Sequence, residues 1–117
     1  MWTWKIDAKD AKVHFGNFKP VKAEEGRYED YYGNMELHYW YMFDNGYGAS
    51  VVRRNAPFNN PFGRQVFEVA VIDSKYSICR DTPITDEVIG NLKKDEVTEI
   101  LKKIEALPSR KEKVTKE

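Results

Sequence analysis

The chain has 117 residues, enough for one domain with a modest core. Its 19 lysines and arginines balance its 19 aspartates and glutamates, which argues against a dedicated duplex-DNA binder, since such domains are usually basic. The single cysteine, Cys79, excludes an internal disulfide and favours a reducing compartment.

Nothing in the sequence indicates a membrane segment or an export signal. No stretch approaches the roughly 18 continuous apolar residues of a membrane span. The first residues lack the apolar core of a signal peptide. We therefore expect a cytoplasmic protein with no membrane partner.

The first third of the chain predicts one short hairpin and one loop. Trp2, Trp4 and Ile6 alternate with polar residues, as in a strand with one wet face. Residues 12–15 are predicted to return as its partner strand. Residues 23–34 carry four carboxylates and three tyrosines without periodicity, which predicts an exposed loop.

Residues 35–53 form the strongest predicted element, a long β-hairpin. Asn45-Gly46 lies between two apolar runs, which favours a two-residue type I′ turn. That turn would place Tyr41 opposite Ser50 and Phe43 opposite Gly48. Side chains alternate along a strand, so Tyr39, Tyr41 and Phe43 share one predicted face, and His38, Trp40 and Met42 share the other. Both faces are apolar. We expect a helix to cover one, and a loop or a second copy of the chain to cover the other; a second copy would make the protein a homodimer. The alternative is that one aromatic face is a binding surface.

The second half predicts one more hairpin, a helical turn and a helix. Residues 66–73 read as a strand that turns at Ser74-Lys75 into residues 76–80. Thr85 is a suitable N-cap for a short helical turn that ends at Gly90. Residues 94–107 carry one apolar stripe typical of an amphipathic helix that ends at Pro108. Within it, Glu96 occupies the capping-box position if Lys93 is the N-cap.

These elements predict an α+β fold. It consists of an antiparallel sheet of about four to six strands with a C-terminal amphipathic helix packed on one face. Residues 1–107 form the single domain, and residues 108–117 form a disordered charged tail.

The sequence contains no motif for catalysis, for a metal or for a cofactor. His14, His38 and Cys79 lack zinc-ligand spacing, and the acidic run from Glu24 has no calcium-loop pattern. We therefore expect a protein that is not an enzyme and has no catalytic residues, no metal and no cofactor.

Two segments are candidate binding surfaces. Tyrosines among carboxylates suit a protein partner, because tyrosine gives a large contact area at low entropic cost. This surface consists of Glu24, Glu25, Tyr28, Glu29, Asp30, Tyr31 and Tyr32. Arginines interleaved with phenylalanines suit single-stranded nucleic acid. The second surface consists of Arg53, Arg54, Phe58, Phe62 and Arg64.

From Met35 onward, the chain resembles a family of small bacteriophage proteins with no established activity. The resemblance rests on Asn45-Gly-Tyr-Gly-Ala-Ser-Val-Val-Arg53 and on Asp81-Thr-Pro-Ile-Thr-Asp-Glu-Val-Ile-Gly90, followed by an acidic helix. Lys93 departs from the expected cap residue. The resemblance implies a phage origin and the host cytosol as the compartment.

The leading functional hypothesis is a non-catalytic phage protein that binds a host protein. Its purpose would be host takeover or inhibition of a bacterial defence system such as CRISPR-Cas. The alternative is a nucleic-acid-binding accessory protein that uses the segment 53–64.

Overall fold

The protein folds into one antiparallel sheet with one helix packed on it. The structure, a computed structural model, describes residues 2–30, 33–55, 66–84 and 88–109. In chain order, the elements are β1 (Trp2–Ile6), a 3-10 helix (Ala8–Asp10), β2 (Lys22–Asp30), β3 (Gly33–Met42), β4 (Tyr47–Asn55), β5 (Val66–Asp73), β6 (Val88–Leu92) and α1 (Lys94–Glu105). Each strand pairs with the next, so the described sheet is a six-stranded meander in the order β1 to β6. The predicted α+β class is confirmed.

Two predictions for the first third of the chain are wrong. Residues 12–15 are not a strand, and β1 pairs instead with β2. Residues 23–34, predicted as a loop, lie largely in β2 and the start of β3. The reason is pairing: β2 is hydrogen-bonded on both sides, by β1 and β3, and this ladder outweighs the weak apolar periodicity of the segment.

The β3–β4 hairpin is confirmed, but its predicted register is wrong by one residue. Tyr41 pairs with Ala49, and Met42, rather than Phe43, pairs with Gly48. The Gly46 N–H donates to the Phe43 carbonyl at 3.2 Å, and Gly46 has a φ of 87°. The loop is therefore a three-residue type I turn closed by a left-handed glycine, which adds one residue to the predicted turn.

This register places one row of each strand in the core. Ala23, Tyr39, Val51 and Val69 are direct neighbours across four strands, and all are buried. Helix α1 covers this face at β4 and β5 with buried apolar side chains. These are Val97, Leu101 and Ile104.

The segment between β1 and β2 covers the rest of the same face. Phe15 is fully buried and makes edge-to-face contacts with Tyr41 and Phe67, at centroid distances of 6.4 and 5.3 Å. Such aromatic pairs contribute about 1 kcal/mol beyond their buried area. This segment therefore covers part of the sheet with apolar side chains, as a second helix would.

Two predictions after β5 are also wrong. Residues 76–80 form no strand and make only an isolated bridge, Ile78 to Ile72. Val88 to Gly90, predicted as part of a helical turn, belong to β6, while residues 85–87 lie outside the described residues. The predicted tail, 108–117, lies outside them from residue 110 onward. No helix in the described ranges is long and apolar enough to cross a membrane.

Helix α1 is confirmed and is tied at both ends. The Lys93 N–H donates to Glu96 Oε1 at 2.8 Å, as predicted for a capping-box acid. At the other end, Asn45 Nδ2 donates to the carbonyls of Ile104, Glu105 and Leu107 at 2.9 to 3.1 Å. Asn45 Oδ1 accepts the Tyr47 N–H at 3.0 Å. One side chain therefore joins the hairpin turn to the helix C-terminus.

We expect Asn45→Ala to lower the free energy of unfolding by about 2 kcal/mol, because it removes bonds at two elements. Asn45→Asp should cost at least as much, because it sets a negative charge against the negative end of the helix. Urea unfolding followed by tryptophan fluorescence measures both. Asn17→Ala, at an exposed turn residue, is the matched control. Equal stability of Asn45→Ala and the control would contradict this role.

Candidate functional site

One face of the sheet carries no helix in the described part of the chain, and we call it the open face. Its partly or fully exposed side chains alternate with the core rows. They are Lys22, Glu24, His38, Trp40, Met42, Ser50, Val52 and Glu68, with Val88 at the β6 edge. On β5, the same face also holds Ala70 and Ile72, which are buried. The sequence placed His38, Trp40 and Met42 together on one face but did not establish whether that face was the open one.

Trp40 lies near the middle of the open face, and its ring is held by two neighbours. It stacks on His38 with ring centroids 3.6 Å apart and an interplanar angle of 19°. Lys22 Nζ lies 4.6 Å from the Trp40 centroid, a cation–π contact. His38 Nε2 is 2.6 Å from Ser50 Oγ, which fixes the imidazole in turn. The indole is therefore presented in one orientation.

Tyr76 extends the open face from the turn after β5. Its φ is 66°, a left-handed conformation that is uncommon for a bulky residue. The turn is held by Asp73 Oδ1, which accepts the N–H groups of Lys75 and Ser77 at 2.8 and 3.0 Å. The Tyr76 ring lies 5.7 Å from Lys22 Nζ and so leans over this face. Sequence reasoning missed it, because a strained φ leaves no sequence signal here.

Exposed apolar side chains also lie on the β5 and β6 side of the open face. Tyr76, Ile78 and Val88 are 47, 44 and 47% exposed. Met42 lies over Gly48, where an added Cβ would collide with the Tyr41 carbonyl and Met42 Sδ. Aromatic and methionine side chains ringed by charges are typical of the core and rim of protein interfaces. This arrangement can therefore bind a flat, partly apolar surface.

A second candidate region, which we call the charged cleft, is a concave part of the helix-side face that α1 does not cover. It has a volume of about 660 Å³ and is lined by Ile6, Asp10, Lys12, Val13, Glu25, Gly26, Glu36, Leu37 and Arg53. That volume falls in the range of small-molecule sites.

Tyr39 organises one wall of the charged cleft. Its hydroxyl donates to Glu25 Oε2 and accepts the N–H groups of Lys12 and Val13 at 3.0 and 3.3 Å. Burial, and then the hydrogen bond to Glu25, raise the pKa of the Tyr39 hydroxyl to about 12. Tyr41 differs. Burial raises the pKa of its hydroxyl well above the ordinary value, and that hydroxyl has no hydrogen-bond partner among the described residues.

Arg53 forms the opposite wall. Its Nε lies 3.2 Å from Glu36 Oε1, an ion pair without hydrogen-bond alignment, and the two side chains are 23 and 20% exposed. The guanidinium is thus partly withdrawn from water.

The predicted acidic-tyrosine surface is divided by the strand that contains it. Glu24 pairs with His38 on the open face, whereas Glu25 pairs with Leu37 on the helix side. Successive strand residues alternate between faces, so the two carboxylates cannot meet one partner surface. Tyr28, Glu29 and Asp30 lie in β2, and only their backbone is described. Tyr31 and Tyr32 lie outside the described residues.

The predicted arginine-phenylalanine surface is represented by two residues of β4. Arg53 is engaged with Glu36, and only the backbone of Arg54 is described. Phe58, Phe62 and Arg64 lie outside the described residues. Nucleic-acid binding by this segment stays a prediction.

Metal and family comparisons add no further assignment. Within the described ranges, no group of three or more His, Cys, Asp or Glu residues is placed to hold a metal ion. Comparison with family models, with curated proteins and with solved structures finds no match for this chain. The resemblance to bacteriophage proteins therefore stays a prediction.

Two adjacent core tyrosines should respond oppositely to loss of the hydroxyl. Tyr39→Phe removes the acceptor of the Val13 N–H and one of two hydrogen bonds from both the Lys12 N–H and Glu25 Oε2, and we expect it to cost about 1–3 kcal/mol of unfolding free energy. Tyr41→Phe removes a buried hydroxyl that has no described partner, so it should be neutral or stabilising by up to about 1 kcal/mol. Urea unfolding of the pair decides this. Equal losses would show that the Tyr39 network is not stabilising.

The raised pKa of Tyr39 predicts a loss of stability in alkali. The folded state holds this proton more tightly than the unfolded state, whose tyrosine pKa is about 10. The corresponding stability is complete below pH 10 and is lost as pH rises to about 12. Over this range, the unfolding free energy of Tyr39→Phe should fall less steeply than that of the natural protein. Parallel pH curves would contradict the assignment.

Proposed function

We propose that this protein is a non-catalytic binding protein that binds another protein across its open face. The observation that carries the proposal is the preorganised Trp40, stacked on His38, on a sheet face that also carries the half-exposed Tyr76, Ile78 and Val88. Tryptophan and tyrosine are the residues most often responsible for binding energy at the centre of interfaces. Their fixed orientation lowers the entropy lost on binding.

The charges of the open face favour a specific partner over non-specific association. Lys22 and Glu24 lie on the same strand face, and Glu68 lies two strands from His38 on that row. Because both signs are present, a partner must match a pattern of charges rather than a net charge. The neutral chain gives little long-range attraction to nucleic acid.

The class of partner that we propose is a bacterial host protein. The resemblance to bacteriophage proteins supports this class, and the lack of a catalytic motif in the sequence is consistent with action by binding. Host takeover, or inhibition of a defence system such as CRISPR-Cas, would be the purpose. A protein of this kind acts by occupying a surface of its target in the host cytosol.

We expect Trp40→Ala and Tyr76→Ala each to weaken binding of the host partner at least tenfold, because each removes an interface anchor of about 2 kcal/mol. Tagged protein is incubated with host lysate, captured proteins are quantified by mass spectrometry, and the leading candidate is purified for titration. Both variants should keep the fold, since both side chains lie on the partly exposed face and outside the core.

The controls separate the surfaces. Lys103→Ala changes an exposed residue of α1, on the other side of the sheet. Tyr31→Ala with Tyr32→Ala tests the predicted acidic-tyrosine segment. Loss of binding only in the latter pair would move the site away from the open face.

A dimer in light scattering that dissociates in Trp40→Ala would make the second copy the occupant. Salt-sensitive binding of single-stranded DNA, lost in the same variants, would favour the nucleic-acid alternative.

A further inference from the structure

One cross-strand row in the charged cleft places an acidic, an apolar and a basic residue side by side. Glu25 on β2, Leu37 on β3 and Arg53 on β4 are direct register partners. Neighbouring strands lie about 4.8 Å apart, so the backbones of Glu25 and Arg53 are separated by about 10 Å. A carboxylate and a guanidinium therefore stand on either side of a buried leucine. They face the same space without pairing with each other.

The Glu25 carboxylate is held in place through one of its two oxygens. Its Oε2 accepts the Tyr39 hydroxyl and the Lys12 N–H, the latter at 3.0 Å. Within the described part of the chain, its Oε1 accepts no hydrogen bond. Because Oε2 fixes the group, Oε1 is a preorganised acceptor for a cationic donor.

The Arg53 guanidinium has more donors than the described residues use. It carries five N–H donors. The ion pair from Nε to Glu36 is its one interaction with the described residues. Its terminal nitrogens are accessible to an acceptor that enters the cleft. A carboxylate is the acceptor that best fits the guanidinium fork, since it can take two parallel hydrogen bonds.

We propose that the charged cleft binds a small zwitterionic ligand, a free amino acid or a dipeptide. Its ammonium group pairs with Glu25 Oε1, and its carboxylate pairs with the terminal nitrogens of Arg53. Its side chains rest on the apolar floor formed by Ile6, Val13 and Leu37. The ion pair between Nε and Glu36 stays in place and orients the fork. The cleft lies on the opposite side of the sheet from the open face, so this site is independent of the proposed function.

Calorimetric titration of the full chain tests the proposal on the natural protein. The probes are L-leucine and L-leucyl-L-leucine, which carry both charges. N-acetyl-leucyl-leucine lacks the ammonium group, and leucyl-leucine amide lacks the carboxylate. We expect one or both zwitterions to bind, and each blocked dipeptide to bind at least tenfold more weakly than the free dipeptide. Binding of leucine alone would restrict the class to free amino acids.

Two variants assign the charges to residues. In Arg53→Gln, free dipeptide and amide should bind alike, because the group that recognises the carboxylate is gone. In Glu25→Gln, free and acetylated dipeptide should bind alike, while the amide oxygen still accepts from Tyr39. Glu99→Gln, on the exposed face of α1, should retain the full discrimination. Circular dichroism confirms that each variant is folded.

Two results would overturn the proposal, and both come from the natural chain. One is the absence of heat and of backbone NMR shifts with every probe at millimolar concentration. The other is equal affinity for free, acetylated and amidated dipeptide, which would show that the terminal charges are not recognised. Neither result bears on the open face, where Trp40→Ala remains the deciding variant.

Discussion

The structure depends on one short turn, the three residues between β3 and β4. Gly46 closes it in a left-handed conformation, and this sets the pairing of Tyr41 with Ala49. Strand side chains alternate, so a slip of one residue on either strand would carry its core row to the other face. Asn45 in the same turn donates to three carbonyls at the helix C-terminus. Register, the choice of buried face and helix docking are therefore fixed together.

The elements that the sequence predicts correctly are long and have a clear periodicity. The β3–β4 hairpin, β5 and the amphipathic helix each show one clear pattern, and all three are present. The prediction fails at β2, because Glu24 and Glu25 face opposite sides and both remain partly exposed, so the strand has no apolar face to read. It also fails at the turn, since Asn-Gly suits both a two-residue and a three-residue loop. In the three-residue loop, Asn45 donates to a carbonyl of the helix C-terminus, a tertiary contact that the local sequence does not show.

The candidate sites were less predictable than the fold, for a different reason. Alternation alone groups His38, Trp40 and Met42, because they are spaced by two on one strand. Lys22 and Tyr76 join them only through pairing across strands and through a strained turn, which local sequence does not encode. The Glu25–Leu37–Arg53 row is a similar case. Its members are distant in sequence and meet through the registers of two strand pairs.

Both proposed surfaces lie on parts of the sheet that neither helix α1 nor Phe15 covers. A six-stranded sheet has two faces, and the 12-residue helix α1 packs on one of them. The helix reaches β4 and β5, and Phe15 fills the space between Tyr41 and Phe67. Beyond Phe15, the described part of the helix-side face carries the charged cleft. Within the described ranges, the opposite face carries no helix, and Trp40 is held there by stacking on His38 and by the cation–π contact with Lys22. The two faces are therefore stabilised differently, the helix side by apolar packing and the open face by contacts among its own side chains.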